Sequence, residues 1–380
     1  MNILFDLIST QGFINGGAEY VKRVFWTMMD QKTDEHHVFC LYDSKLEIIS
    51  EDVSPFQLYG SDKTVFIDIN HHGSIEEIVD LNSIDIFFIG IASRYLNYNL
   101  RNVRCRCICV VHDFSLYDLD GVRIYLHRKE LPQLIRILLR RYKHKITDKN
   151  KWNNMFSFWR NHPNLKIITV SEFTRASLLT SVLDTCERIQ VLYSPEKMIT
   201  VRPEVENKQL SEVISSKCKY YLIVSANRDL KNAKLAISAV KRFFDVYKPD
   251  AKLITIGYSK QEFDNHIILP YLSTSDLENA YRNCYALIYP TLWEGFGYPP
   301  LEAMKYGKPI LSSNVCSMRE VLQDAPIYFS PYYESDIFWA MERFSQSDYE
   351  LLAQRSKECY MRVNNRQHED LNKLIRLIIR

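Results

Sequence analysis

The chain has 380 residues, 46% of them hydrophobic and 25% charged, a length for about two domains and a composition that excludes a disordered chain. No run approaches the roughly 18–20 apolar residues of a spanning helix, and the opening run Asn2–Leu7 has neither a basic leader nor a cleavage site, which argues against a secreted or transmembrane protein. Nine cysteines without framework spacing read as reduced thiols, which favours the cytoplasm.

Apolar, β-branched runs recur along the chain at Ile3–Leu7, Val38–Tyr42, Ile84–Ile89, Cys107–Val111, Ile167–Val170 and Ile189–Tyr193, then at Tyr220–Val224, Leu253–Ile256, Tyr285–Tyr289 and Pro309–Leu311. Continuous runs, as opposed to strict alternation, suit strands covered on both faces. Their alternation with helical periodicity implies βαβ units and parallel sheets, so the fold class is α/β. So many strands exceed one comfortable sheet of about six, and the polar stretch Glu196–Lys219 offers a boundary. Residues 1–197 and 198–360 are expected to be separate Rossmann-like domains. At the end, Leu371, Leu374, Ile375, Ile378 and Ile379 form the stripe of an amphipathic helix, expected to dock.

The segment after the Tyr285–Tyr289 run is the richest in chemistry. Pro290 ends the strand, Gly295 and Gly297 allow a sharp turn, and Pro299 with Pro300 suits the first turn of a helix that Gly307 and Pro309 stop. On one continuous helix Glu294 and Glu302 would lie ~12 Å apart. Here the first precedes the turn and the second falls in the first helical turn, so the loop can aim both at one pocket at a strand's carboxyl end. Free amides at a helix start attract phosphate, and a carboxylate can accept two hydrogen bonds from a diol. A nucleotide sugar offers diphosphate, ribose diol and sugar hydroxyls. The spacing of two glutamates alone carries no weight, and solvated side chains are the bland alternative; the embedded glycines and prolines hold the signal.

The stretch EGFGYPPLEAM from Glu294 to Met304, followed by Gly307 and Pro309, closely resembles the Glu-x7-Glu signature of retaining glycosyltransferase family 4. Supporting pieces fall in that family's order over nearly the whole chain: Gly16 to Glu19, Val111 to Asp113, Val170 to Thr174, Ser225 to Asn232 and Ser317 to Glu320. The resemblance implies a GT-B fold of two Rossmann-like, doubly wound parallel-sheet domains facing a central cleft. It also implies an amino-terminal domain that holds the acceptor, a carboxyl-terminal domain that holds the donor, and a last helix, residues 361–380, that crosses back.

Site roles follow from the same resemblance. Glu302 is expected to hold the ribose diol, Glu294 with the amides of Gly295, Phe296 and Gly297 the donor sugar, and Lys231 with Gly16 and Gly17 the diphosphate. His112, at the carboxyl end of its strand, is expected beside the reacting carbon, although a structural histidine is the plainer reading. Arg228 is a second cation for the diphosphate, at a spacing that departs from the family's commonest pattern. Backbone near Tyr271 and Leu272 is expected to recognise the base or hexose. The implied activity is retaining transfer of a hexosyl unit from a nucleotide-diphosphate sugar to a saccharide or lipid-linked acceptor in surface polysaccharide or glycan synthesis, with no metal and no cofactor. The alternative is a nucleotide-sugar-binding GT-B protein of other activity, epimerase-like or noncatalytic.

Formal net charge is +2, but Arg123 to Lys166 holds 12 Lys and Arg against Glu130 and Asp148. Within residues 128–160, cations flank apolar residues at helical spacing, and Trp152, Phe156, Phe158 and Trp159 add aromatics. This is the pattern of a helix on an anionic membrane surface; a core-facing helix with a solvated basic face explains it equally simply. No nucleic-acid-binding module is recognisable. Asp118 and Asp120 read as a loop, and Cys105, Cys107 and Cys109, ~6.7 Å apart along one strand face, read as packing and not as zinc ligands.

Overall fold

The computed structural model describes residues 1–12, 16–48, 64–114, 152–182, 186–198 and 204–380. The chain divides into two compact units, Met1–Met198 with Arg366–Arg380, and Ile199–Asn365.

The first unit is built on a seven-stranded parallel sheet. Its strands are β1 (Asn2–Asp6), β2 (His37–Tyr42), β3 (Thr64–Asp68), β4 (Ile86–Ile89), β5 (Arg106–Val111), β6 (Leu165–Thr169) and β7 (Ile189–Val191), in the order β3-β2-β1-β4-β5-β6-β7. The second unit has β8 (Tyr220–Ile223), β9 (Lys252–Ile256), β10 (His266–Leu269), β11 (Ala286–Tyr289), β12 (Ile310–Ser313) and β13 (Ile327–Phe329), in the order β10-β9-β8-β11-β12-β13. Both sheets thus follow the Rossmann order, with strand order reversing between β1 and β4 and between β8 and β11. At such a switch point the connections leave in opposite directions and open a crevice at the strands' carboxyl ends.

The central strands are buried from end to end, as β4, β8, β11 and β12 show. Three strands fall outside the apolar runs of the sequence: β3, β10 and β13, each at a sheet edge. Partly exposed residues interrupt all three, because an edge strand has less of its surface covered and needs no continuous apolar run.

The terminal helix runs over Tyr349–Ile379, well ahead of the stripe that announced it. Asp348 starts it by accepting the Glu350 amide at 2.9 Å. Leu371, Leu374, Ile375 and Ile378 are buried and Ile379 partly so. In the first unit this end is fastened to the β7 exit. Asp370 accepts the Tyr193 amide at 3.0 Å, Gln367 donates to the Ser194 carbonyl at 2.6 Å, and the Arg366 guanidinium lies 3.6 Å from the Tyr193 ring centre.

For the aromatics near the basic segment the core-facing reading holds. Trp152, Phe156, Phe158 and Trp159 are all buried in the first unit's core, with Phe114 5.4 Å from Trp152 and Phe156 5.7 Å from Trp159. An apolar stripe at helical spacing is the same whether it faces a core or a bilayer, so the sequence could not choose. The basic residues from Arg128 to Lys151, and Asp118 and Asp120, lie outside the described residues. No helix among the described residues is long and apolar enough to cross a membrane. All nine cysteines are free; Cys107 and Cys109 are buried and Cys105 partly so, and burial pushes the Cys109 thiol up to about 12.

Burial also depresses the imidazoles of His162 and His266. The Nδ1 of each accepts a backbone amide, from Asn164 and from Glu262, both at 3.2 Å, which only the neutral ring can do. Below about pH 6.5, the ordinary imidazole value, the unfolded chain binds protons that the folded one refuses. Stability from these rings is therefore complete above that value and drains as pH falls; Asp6, whose carboxyl burial raises, works in the opposite sense. The melting temperature should fall from about pH 7 to about 5.5, less steeply in His266→Gln. Parallel slopes in the two proteins would show that His266 takes no part.

Candidate functional site

In the second unit the loops after β8 and β11, the two strands at the switch point, are tied together. The Leu292 amide donates to the Leu230 carbonyl at 2.8 Å, and Thr291 Oγ1 donates to the same carbonyl at 3.2 Å. Asp229–Lys231 forms one 3-10 turn, after which Asn232 takes a left-handed conformation (φ 55°) and starts helix Ala233–Tyr247. Lys231 is thereby buried, and its ammonium lies 4.6 Å from the Tyr289 ring centre.

Lys231 and Glu294 form an ion pair. Tyr289, the last residue of β11, joins them: its hydroxyl accepts from Lys231 Nζ at 2.6 Å and donates to Glu294 Oε1 at 2.7 Å. Thr291 Oγ1 adds a contact to Glu294 Oε1 at 3.2 Å. Burial, then the Glu294 charge, holds the Tyr289 phenol well above its usual range, so it keeps its proton and remains a donor. The sequence singles out Lys231 and Glu294 but not Tyr289, since a tyrosine that ends an apolar run looks like core.

Gly297 precedes helix Tyr298–Met304 with φ 96°, and Pro299 and Pro300 fill its first turn as expected. Ser317 Oγ donates to the carbonyls of Glu294 at 3.1 Å and Phe296 at 3.3 Å, fixing the loop. A side chain at 297 would sit in a backbone region L residues rarely adopt, and its Cβ would lie 2.4 Å from Met318 Cε. Met318 can yield, being flexible, but the backbone cannot. Gly297→Ala should therefore cost about 1–2 kcal/mol in denaturant unfolding; an unchanged midpoint would show that the loop relaxes freely.

Glu302, in that helix, is 8% exposed. It acts on the buried Tyr281, whose phenol is raised by burial first and by the Glu302 charge next. The Glu302 charge also contributes, behind burial and Glu294, to raising Tyr289. Both carboxylates therefore bear on one phenol. Gly295 and Phe296 are buried beside them.

The other donor-side candidates stand apart from this cluster. Arg228 is exposed, although its charge reaches Tyr289. Tyr271 is 66% exposed and Leu272 half-buried. Beyond the β10 end, the Tyr271 hydroxyl donates to Asn227 Oδ1 at 2.8 Å, against Gly257 (φ 83°).

In the first unit Gly16 and Gly17 are the first two residues of helix Gly16–Gln31. Tyr20, one turn on in the same helix, packs edge-on against His112 with ring centres 4.7 Å apart. His112 Nε2 lies 3.0 Å from the Gly90 carbonyl, which can only accept; the proton is on Nε2 and Nδ1 keeps a free lone pair for its neutral ring. Burial lowers the imidazole, opposed by the Gly90 bond and the Asp113 charge. Gly90 in turn donates to Asp6 Oδ2 at 2.9 Å, and a Cβ there would meet Val21 Cγ2 at 2.4 Å. Asp6, fully buried and also bonded to Ser9, gives no signal inside the apolar run Ile3–Leu7.

Comparison with known proteins adds independent findings. Residues 204–360 match the family described as glycosyl transferases group 1. The O-antigen chain mannosyltransferase RfbU of Salmonella typhimurium is 29% identical over 194 residues, 47% of this chain and 51% of that protein; the match thus spans about half the length of that relative. Among solved structures, sucrose-phosphate synthase from Thermosynechococcus elongatus aligns with a TM-score of 0.68 at 13% identity, covering 99% of this chain and 98% of that one. WaaG, a glycosyltransferase involved in lipopolysaccharide biosynthesis, aligns with a TM-score of 0.65 at 13% identity over 97% and 98%. The fold is accordingly GT-B, two Rossmann-like parallel-sheet units, and over residues 204–360 the chain matches the glycosyl transferases group 1 family.

Proposed function

We propose that this protein is a retaining glycosyltransferase of family 4 that moves a hexosyl unit, with mannosyl the first choice, from a nucleotide-diphosphate sugar to a saccharide or lipid-linked saccharide in surface polysaccharide synthesis. The mannosyl choice rests on the name of the Salmonella relative. The observation that carries the reading is the placement of Lys231 and Glu294 on Tyr289 at the β8–β11 switch point, with Glu302 buried in the helix that follows the same loop. A buried cation is suited to a leaving diphosphate, and charge stabilisation in a preorganised site is usually the largest catalytic contribution. One carboxylate is assigned to the sugar hydroxyls and the other to the ribose diol. His112 is assigned to the transferred sugar, Gly16, Gly17 and Arg228 to the diphosphate, and the backbone near Tyr271 and Leu272 to the base or hexose.

The reaction is proposed to need no metal, Lys231 and the helix amides carrying the diphosphate charge, and to run in the cytoplasm, where the cysteines stay reduced. A panel of nucleotide sugars tested by thermal shift should yield one stabilising donor; ligand at 100 times its dissociation constant contributes ~2.7 kcal/mol. That donor should then be turned over on a lipid-linked saccharide, in the presence of chelator, with the anomeric configuration kept. Inversion of configuration would overturn the retaining assignment, and the absence of any stabilising nucleotide sugar would overturn the reading as a whole.

A further inference from the structure

Glu294 does two things that a sugar-binding carboxylate need not do: it pairs with the cation assigned to the diphosphate, and it shares that cation's tyrosine. We propose that Glu294 is a specificity-determining latch that makes the site favour an intact nucleotide sugar over a spent nucleoside diphosphate. The inference rests on the donor-site reading above and deepens it.

The physical argument concerns what each ligand leaves behind. Lys231 is buried, and the Glu294 side chain is 17% exposed, so neither charge is well hydrated. A bare nucleoside diphosphate that takes Lys231 pulls it from Glu294 and brings its own negative charge towards that carboxylate. It offers no hydroxyl in exchange, and a poorly hydrated ion left without its partner is the costly outcome. A nucleotide sugar replaces both partners: phosphate oxygens accept from Lys231, and a sugar hydroxyl donates to Glu294. Tyr289 can continue donating to Glu294, its proton being held by burial and by that same charge. Lys231 and Glu294 thus satisfy each other when the site is empty, and only a ligand carrying both functions compensates for separating them. After transfer the product nucleotide lacks the sugar, the pair re-forms, and release is favoured.

A carboxylate that only binds sugar leaves nucleotide affinity untouched when neutralised, whereas a latch does not. The test measures dissociation constants by calorimetry for GDP with GDP-mannose and for UDP with UDP-glucose, on wild type, Glu294→Gln, Tyr289→Phe and Lys231→Met. In Glu294→Gln the nucleotide sugar should weaken while the matching nucleoside diphosphate tightens, by roughly tenfold for one charge-assisted bond no longer lost. Tyr289→Phe keeps the carboxylate but takes from it the donor that remains once Lys231 is drawn away, so it should weaken the diphosphate and serves if the Gln variant does not fold. Lys231→Met should abolish the tightening in a double variant. Unchanged or weakened diphosphate binding in Glu294→Gln, or, where that variant does not fold, unchanged or tightened binding in Tyr289→Phe, would overturn the latch and leave the donor site standing. Binding of both ligands indifferent to Lys231→Met, or of no nucleotide sugar at all, would remove the donor site and the latch together.

Discussion

Glu294→Ala should lower the stability of the folded protein by about 2–4 kcal/mol. Removing one partner of a buried ion pair strands the other, which costs roughly 3–5 kcal/mol; the partial solvent access of Lys231 and Glu294, 11% and 17% for their side chains, shifts the expectation about 1 kcal/mol below that range. Truncation also takes the acceptor from the Tyr289 hydroxyl and the charged end from Lys231, whereas the single Thr291 hydroxyl proton still has the Leu230 carbonyl. Glu294→Gln keeps a carbonyl oxygen for these donors and should lose less than half as much. Urea unfolding of the three proteins checks this: the Ala midpoint should move most, at constant slope. If the Ala variant is as stable as wild type, Lys231 is satisfied by water and the pair holds nothing in place.

Glu302→Ala carries the largest expected effect on ligand binding. A carboxylate accepting from both hydroxyls of a ribose diol forms charged hydrogen bonds worth ~1.5–3 kcal/mol, so donor affinity should fall by roughly 10- to 150-fold. Glu302 lies in a short helix whose start is fixed by Gly297 and two prolines, so its position does not depend on the ligand. Truncation also relieves the Tyr281 phenol of a nearby charge, and a change in stability alone is therefore no measure of the role. Calorimetric titration of the folded variant with the donor found by thermal shift gives the decisive number. Wild-type affinity there would remove Glu302 from the ribose.

The two effects separate the glutamates by what surrounds them. Glu294 answers a cation and should appear first in stability, whereas Glu302 sits beside phenols and should appear first in binding. Sequence spacing could not assign these parts, because both residues are glutamates flanking one turn.

The residues alone determined the parallel α/β class, both sheets, and the loop that carries the candidate site. Their information is local: a strand covered on both faces is apolar throughout, as β4, β8 and β11 are, and a chain reversing at Gly297 needs glycine there, then proline. Tertiary structure decided whatever depends on neighbours distant in the chain. The edge strands β3, β10 and β13 are strands because a partner pairs with them, and the aromatics from Trp152 to Trp159 are core because the sheet lies against them. Tyr289 becomes the link between Lys231 and Glu294 only when two loops, 58 residues apart along the chain, meet at a switch point. Periodicity reports how much of a residue is covered, not by what, and it is the identity of the covering group that turns a buried polar side chain into part of a site.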